Sequence, residues 1–292
     1  MCVLPSILRQ LILGDMPQPN SARPARHPAK RPRSVGGRPG ARSDVYRPLR
    51  YVDPAAQTVA SAFCERAVVV ILEKAGLLLG REGVVDAYDR AANTEIANAS
   101  LKDVRPDIVH QCLLALFDSE LGSQRRLRVY ISLFARSGRT IEVSPALRPP
   151  RTFRRFKGLV AALLRDGEVR SVDGTVLMKI LPGSVAPVVP YGAPVIGLTN
   201  SVAAPVRTAT QLAREALAAP VDDKLQGGVK SVAGFFCISC TDEVDLDGVD
   251  YVTQQVCLSA YPTTAHVMCA RICEGFTRVA NSSAATGMDS GE

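Results

Sequence analysis

The amino-acid sequence predicts an α/β fold with a mostly parallel sheet flanked by helices. Three observations carry this reading. Short β-branched apolar runs alternate with longer segments whose apolar residues recur at helical spacing, and strands separated by helices pair most readily in parallel. The alternation starts only at residue 66. Apolar residues make up 47% of the 292, ample for a packed core in the folded part.

Residues 66–73 form a β-branched apolar run and read as a buried strand. Residues 83–92 read as a helix. Residues 106–118 carry apolar side chains at 108, 109, 113, 114, 116 and 117, and Pro106 suits a first helical turn, where its missing N–H costs nothing. Residues 127–134 and 140–143 read as strands, 151–165 as an amphipathic helix, 176–181 and 232–238 as strands, and 263–279 as a closing helix. The small polar residues 281–292 read as a frayed tail. No internal repeat is present.

Charge divides the chain differently. The whole sequence has a formal charge of +7. Residues 1–60 hold ten Lys and Arg against three acids, so the excess lies there and residues 61–292 are neutral. The same stretch holds nine of the twenty prolines. Such a segment cannot bury enough apolar surface to offset its ordering entropy, so 1–60 reads as a disordered basic arm and 61–280 as the folded domain. Lys30-Arg31-Pro32-Arg33 fits nuclear import or non-specific RNA attraction. The Arg-rich, acid-poor start also fits a mitochondrial transit peptide.

Other classes are disfavoured. The longest uncharged window, between Lys179 and Arg207, is interrupted by Pro182, Pro187, Pro190, Pro194 and Pro205, so no membrane-spanning helix is expected. Neither a GxGxxG nor a GxxxxGK[ST] motif occurs. The histidines are His27, His110 and His266, too few for a His-based triad or metal site, and the last two read as packing residues. Eight dispersed cysteines fit a reducing compartment. Cys237 and Cys240 form a C-x-x-C, and Cys269 and Cys273 follow, but buried free thiols fit better than zinc or redox chemistry. The acidic stretch 241–250 lacks the terminal Glu of a calcium loop and reads as solvated.

The informative cluster is cationic. Arg136, Arg139, Arg148, Arg151, Arg154, Arg155 and Lys157 are opposed only by Glu142. Arg151 and Arg155, spaced by four, fall on one face of the expected helix, with Arg148 just before it. Guanidinium forks at a helix entrance make a phosphate grip, and the excess of Arg over acid argues against a merely salt-bridged face. Phe153 and Phe156 read as core-facing. Arg105 and Asp107 flank Pro106. An acid there complements the helix dipole, and alone that explanation suffices.

Three segments carry a resemblance. They are Arg105-Pro106-Asp107-Ile108-Val109-His110-Gln111, the stretch from Ile141 to Pro145 through Arg148-Pro149-Pro150-Arg151-Thr152-Phe153-Arg154-Arg155-Phe156, and Leu258-Ser259-Ala260-Tyr261-Pro262. In this order they resemble the Nep1/Emg1-type pseudouridine N1-methyltransferases of ribosome biogenesis, within the SPOUT superfamily, over residues 66–280. The resemblance implies a SPOUT-like fold with a C-terminal trefoil knot, a homodimer, S-adenosylmethionine as methyl donor, small-subunit rRNA as substrate, ribosome-assembly factors as partners, no membrane, and residence in the nucleus and nucleolus. It implies that Arg105 meets the RNA and Asp107 orients Arg105, that Arg148, Arg151 and Arg155 bind RNA, and that Val202, Gly234, Ser239, Leu258, Ser259, Ala260, Tyr261, Pro262 and Thr263 line the donor pocket. No metal is implied.

Methyl transfer to a ring nitrogen needs donor and nucleophile within roughly 3–3.5 Å, and a guanidinium can stabilise the deprotonated base. An Arg-paired Asp is a poor base, so Asp107 is assigned to orientation. The chain departs from the family pattern in four places: Ser239 replaces a glycine, Ala260 an asparagine, Thr263 a leucine, and Lys74 the glycine that ends the first strand. The Ser239 and Ala260 departures motivate an alternative reading, a non-catalytic rRNA-binding assembly factor on the same fold.

Overall fold

The computed structural model describes residues 66–88, 103–134, 138–219 and 232–286. The basic arm 1–60, Arg136 and the last six residues lie outside the described residues.

In chain order, β1 (Ala67–Ala75) is followed by a small hairpin of β2 (Leu79–Gly80) and β3 (Gly83–Val84), then α1 (Pro106–Phe117), α2 (Glu120–Ser123), β4 (Leu127–Leu133) and β5 (Thr140–Val143). Next come α3 (Phe153–Asp166), β6 (Glu168–Arg170), β7 (Val176–Leu181), a single 3-10 turn at Ala186–Val188, β8 (Val195–Leu198) and α4 (Ala209–Ala218). The chain closes with β9 (Val232–Ser239), β10 (Gln254–Val256) and α5 (Ala265–Thr286).

The main sheet has eight strands in the order β10-β8-β9-β1-β4-β5-β7-β6. The pairings from β10 through β4 are parallel, and those from β4 through β6 are antiparallel. β1 is the hub: Val68 to Leu72 register with β4 on one side and β9 on the other, and all five side chains are buried. A strand enclosed on both faces and both edges must be continuously apolar, which is what the sequence run supplies.

The helices crowd one face. Buried residues of all five, including Leu113, Leu121, Phe156, Leu212 and Ile272, share one core with Val68, Val70 and Leu72. The opposite face carries a smaller core of Val69, Ile71, Tyr130, Phe235 and Cys237, covered by Val185, Val188, Val189, Leu246 and Val252 from irregular segments. The proline-rich window cannot sustain an α-helix, so its valines cover this face from the 3-10 turn and the irregular chain around it. The sheet is thus flanked by helices as expected, with irregular chain and a 3-10 turn completing the cover of its second face.

Three expectations need correction. Gly83 begins a strand rather than a helix, because Arg81 and Glu82 form the turn of a hairpin in which Leu79 registers with Val84. The helix of the cationic segment starts at Phe153, with Thr152 as N-cap. The closing helix runs on to Thr286, beyond the start of the supposed tail. Among the described residues no helix is long and apolar enough to cross a membrane.

α4 begins with a capping box in which the Thr208 side chain bonds the Gln211 amide and Gln211 returns the bond. It packs tightly on α5. A Cβ added to Gly275 would stand 2.6 Å from the backbone of Ala209. Gly275→Ala gains about 1 kcal/mol of helix propensity, but overpacking against backbone costs about 1–3 kcal/mol. The expected result is a net loss of roughly 1 kcal/mol, read as a lower urea midpoint with an unchanged slope. A raised midpoint would show that α4 yields to the added methyl.

Candidate active site

Parallel pairing decides where the chemistry can sit. Because β1 and β4 run in the same direction, the connection between them must return, and α1 starts where β1 ends. Gly76, directly after β1, lets the incoming chain approach: a Cβ there would lie 2.0 Å from the Asp103 carbonyl. Arg105, the N-cap of α1, is thereby fixed at the edge where β1, β8, β9 and β10 all end.

Arg105 is only 8% exposed. Its Nε donates to Asp107 Oδ1 at 2.8 Å and its Nη2 to Asp107 Oδ2 at 2.7 Å, a bidentate fork. Nη1 donates to Asp242, on the loop after β9. The ring of Tyr88 lies over the guanidinium at 4.9 Å, and Tyr88 itself is 72% exposed. Hydrogen bonding to Asp107 raises the Arg105 pKa above its ordinary value. Burial pushes the Asp107 carboxyl up, but the hydrogen bonds and charge of Arg105 bring it below the ordinary range. Of these residues the sequence singled out Arg105 and Asp107. Asp242 was hidden in a stretch read as solvated. That reading is corrected: Asp242 binds Arg105 and Asp245 binds Lys74. Tyr88 follows a loop with no motif.

Beside this cluster three loops are stapled together. Asn200 grips the backbone of Thr263 on both sides, donating to its carbonyl at 2.9 Å and accepting from its amide at 3.0 Å. The Asn200 amide also reaches the Glu243 carbonyl at 3.4 Å, and the Thr199 hydroxyl donates to the Val244 carbonyl at 3.3 Å. Arg271 on α5 donates to the Leu258 carbonyl at 2.9 Å. The loops after β8, β9 and β10 are thus one unit.

This unit holds most of the expected pocket residues. Val202 is fully exposed, and Tyr261, 80% exposed, is flanked in sequence by exposed Ala260 and Pro262 on the stapled loops. Leu258 and Ser239 are buried beneath, and the Ser239 hydroxyl bonds that of Thr241 at 2.9 Å. The Thr263 hydroxyl is buried with no hydrogen-bond partner, an orphan polar atom aligned with these loops. Gly234 is not brought there. It registers with Val68 near the start of β9, about 16 Å of strand from Ser239, and packs against Ala216 of α4.

Two non-glycine residues at this edge adopt left-handed backbone. Lys74, ending β1, has φ +54°, and Val244 has φ +50°. Such conformations cost about 1–3 kcal/mol each and persist only when surroundings impose them. Lys74 binds Asp245, while the buried Glu73 accepts from the Tyr251 hydroxyl at 2.5 Å. The loop after β9 is tied down at both ends.

The remaining arginines lie elsewhere along α1. His110 Nε2–H donates to the Pro150 carbonyl at 2.7 Å, and the ring stacks on Phe156 at 4.7 Å. Arg151 pairs with Asp118, at the far end of α1. Thirteen residues of helical rise separate position 105 from 118, about 20 Å. The Arg148–Arg155 segment therefore runs alongside α1, with Pro150 and Phe156 at His110, about 8 Å of helical rise from Arg105, and Arg151 reaching the far end. Arg151 precedes the Thr152 N-cap, so it does not share a helix face with Arg155, as the spacing had suggested. Arg148, Arg154 and Arg155 are exposed, and among the described residues none has a carboxylate partner. Phe153 and Phe156 face the core, as expected.

The cysteine readings resolve by geometry. Cys237 belongs to the small core and Cys240 to the large one, on opposite faces of the sheet. They cannot share a metal. Among the described residues no group of His, Cys, Asp or Glu is arranged to hold one. Burial pushes Cys237 up to about 12, so it is an inert thiol.

The chain matches the EMG1/NEP1 methyltransferase family over residues 70–277. It belongs to that family. It is similar to the Candida glabrata ribosomal RNA small subunit methyltransferase NEP1, 32% identical, with 67% of this chain and 78% of that protein covered. It is 33% identical to human NEP1 of the same description, over 73% of this chain and 82% of the other. The fold matches the crystal structure of Archaeoglobus fulgidus Nep1 bound to S-adenosylhomocysteine, with TM-score 0.56, 20% identity, and coverage of 73% and 98% of the two chains.

Two predictions follow from the site geometry. Because the Asp107 carboxyl is lowered in the folded state, its stabilisation is complete above the ordinary carboxylate range and is lost as pH falls through its lowered value. Asp107→Asn is expected to cost about 2 kcal/mol near neutrality, with the difference from wild type shrinking below about pH 4 in denaturation series. A pH-independent difference would contradict this assignment. Asn200→Ala removes both bonds to Thr263, about 1–3 kcal/mol together. Hydrogen exchange at the Thr263 amide is expected to quicken by about tenfold or more, and unchanged protection would show the loop is held by other contacts.

Proposed function

We propose that this protein is an S-adenosylmethionine-dependent small-subunit rRNA methyltransferase, acting on N1 of a pseudouridine during small-subunit biogenesis. Membership of the methyltransferase family supports the general activity. The observation that carries the finer reading is the fork of Asp107 on Arg105, set at the strand edge beside the three stapled loops.

The residues present fit the donor. Exposed Val202 and Tyr261 offer apolar surface for its adenosyl and thioether parts, the orphan Thr263 hydroxyl offers a polar partner, and the exposed Glu243 places negative charge where a cationic ligand is favoured. When bound, the group supplies a methyl on a positively charged sulfur. The chain's own part is orientation. Arg105 has three donors engaged by carboxylates and keeps two N–H groups for a carbonyl or developing anion of the base. Since two carboxylates outweigh its charge, it is a poor phosphate grip. Arg148, Arg154 and Arg155 suit that task, and Arg151 is partly neutralised by Asp118.

The trefoil knot belongs to the same proposal. It is supported by membership of the methyltransferase family. The resemblance is what supports a homodimer, assembly-factor partners and residence in the nucleolus.

The test uses a pseudouridine-containing RNA hairpin, the methyl donor and mass spectrometry of the product. Gain of one methyl on pseudouridine N1 is expected, and a protein that binds the hairpin but leaves it unmodified is an assembly factor instead. Salt dependence separates the arginines. Arg155→Ala is expected to reduce the slope of log affinity against log salt by about 0.7–0.9, whereas Arg105→Ala leaves the slope unchanged and abolishes transfer.

A further inference from the structure

One contact joins the substrate arginine to the donor loops. Asp242 lies three residues past the end of β9 and binds Arg105 Nη1. Its neighbour Glu243 accepts from Asn200 through its carbonyl, and Asn200 holds Thr263 on both sides. A continuous path thus runs from Arg105 through Asp242 and Asn200 to the loop carrying Tyr261. Asp107 is not part of it, because it sits on α1 beside Arg105.

The Asp242 side chain is 60% exposed, which for an ordinary surface pair means little energy. Its partner is different: the Arg105 side chain is only 10% exposed and is already clamped by Asp107 and covered by Tyr88. Whatever places Asp242 therefore selects which of the remaining Arg105 N–H groups face outward. The loop bearing Asp242 also holds the strained Val244, so it has a backbone conformation that a bound ligand can favour or release.

We propose that Asp242 is a positioning residue that couples the donor loops to Arg105, so that S-adenosylmethionine and RNA bind cooperatively through it. This rests on the methyltransferase reading given above. Because the loops form one stapled unit, a ligand that seats on them sets Asp242 and with it the outward N–H groups of Arg105, which the second ligand then meets already placed. The linkage is reciprocal, so each ligand strengthens the other by the same factor.

The experiment measures, by calorimetry on the full chain, the affinity of S-adenosylhomocysteine and of the pseudouridine hairpin, each alone and with the other at saturation. Wild type is expected to show a coupling factor of about fivefold or more in both directions. In Asp242→Ala the factor is expected to fall to about one, with S-adenosylhomocysteine affinity alone and the melting temperature near those of wild type, and Asp242→Glu is expected to restore part of it. Asp242→Asn serves in place of the alanine variant if that does not fold. An Ala or Asn variant that keeps the wild-type factor overturns the proposal, as does a wild type that binds both ligands independently. A wild type that binds neither ligand overturns the methyltransferase reading and the coupling with it.

Discussion

Parallel pairing on both sides of β1 is the constraint from which the rest follows. A strand with parallel neighbours at both edges cannot be reached by tight turns. Every connection must cross the sheet and start again at the same end. That requirement collects the ends of β1, β8, β9 and β10, and the beginnings of α1, α4 and α5, along one edge. Residues distant in sequence, such as Arg105, Asn200, Asp242 and Thr263, become neighbours there without any local motif linking them.

The second determinant is the cost of burying a guanidinium. Arg105 is held away from water and cannot shed its charge, so it must be matched. Asp107 matches it from within its own helix turn, and Asp242 matches it from another element. The result is a site rich in directed hydrogen bonds and poor in free positive charge. The exposed arginines of the neighbouring Arg148–Arg155 segment, with no carboxylate partner among the described residues except at Arg151, have the opposite character. Specific orientation and long-range attraction are thus assigned to different parts of α1's surroundings.

Legibility in the sequence followed the locality of the cause. The strands at 140–143 and 176–181 and the helix from Pro106 were readable because apolar periodicity and a proline at the first turn are local signals. The buried role of Phe156 was readable for the same reason. β8 and β10 were not, because they are short strands whose identity comes from lying beside β9 and each other, and β8 sits in a window dominated by proline. α4 was missed although Thr208 and Gln211 form its capping box. The acidic loop was misread because its cationic partners, Lys74 and Arg105, are far off in sequence. Gly234 was assigned by likeness of pattern, and only the register with Val68 shows which end of the strand it occupies.

Lys74 sets backbone ease against electrostatic tethering. It ends β1 in left-handed backbone, which a glycine would adopt without strain, and its side chain holds Asp245. A glycine there would relax the strand end while Asp245 lost its counterion. The acidic loop is thus anchored in part by a residue that its own backbone disfavours, and the conformation of the strand end and the charge of the loop cannot be tuned separately.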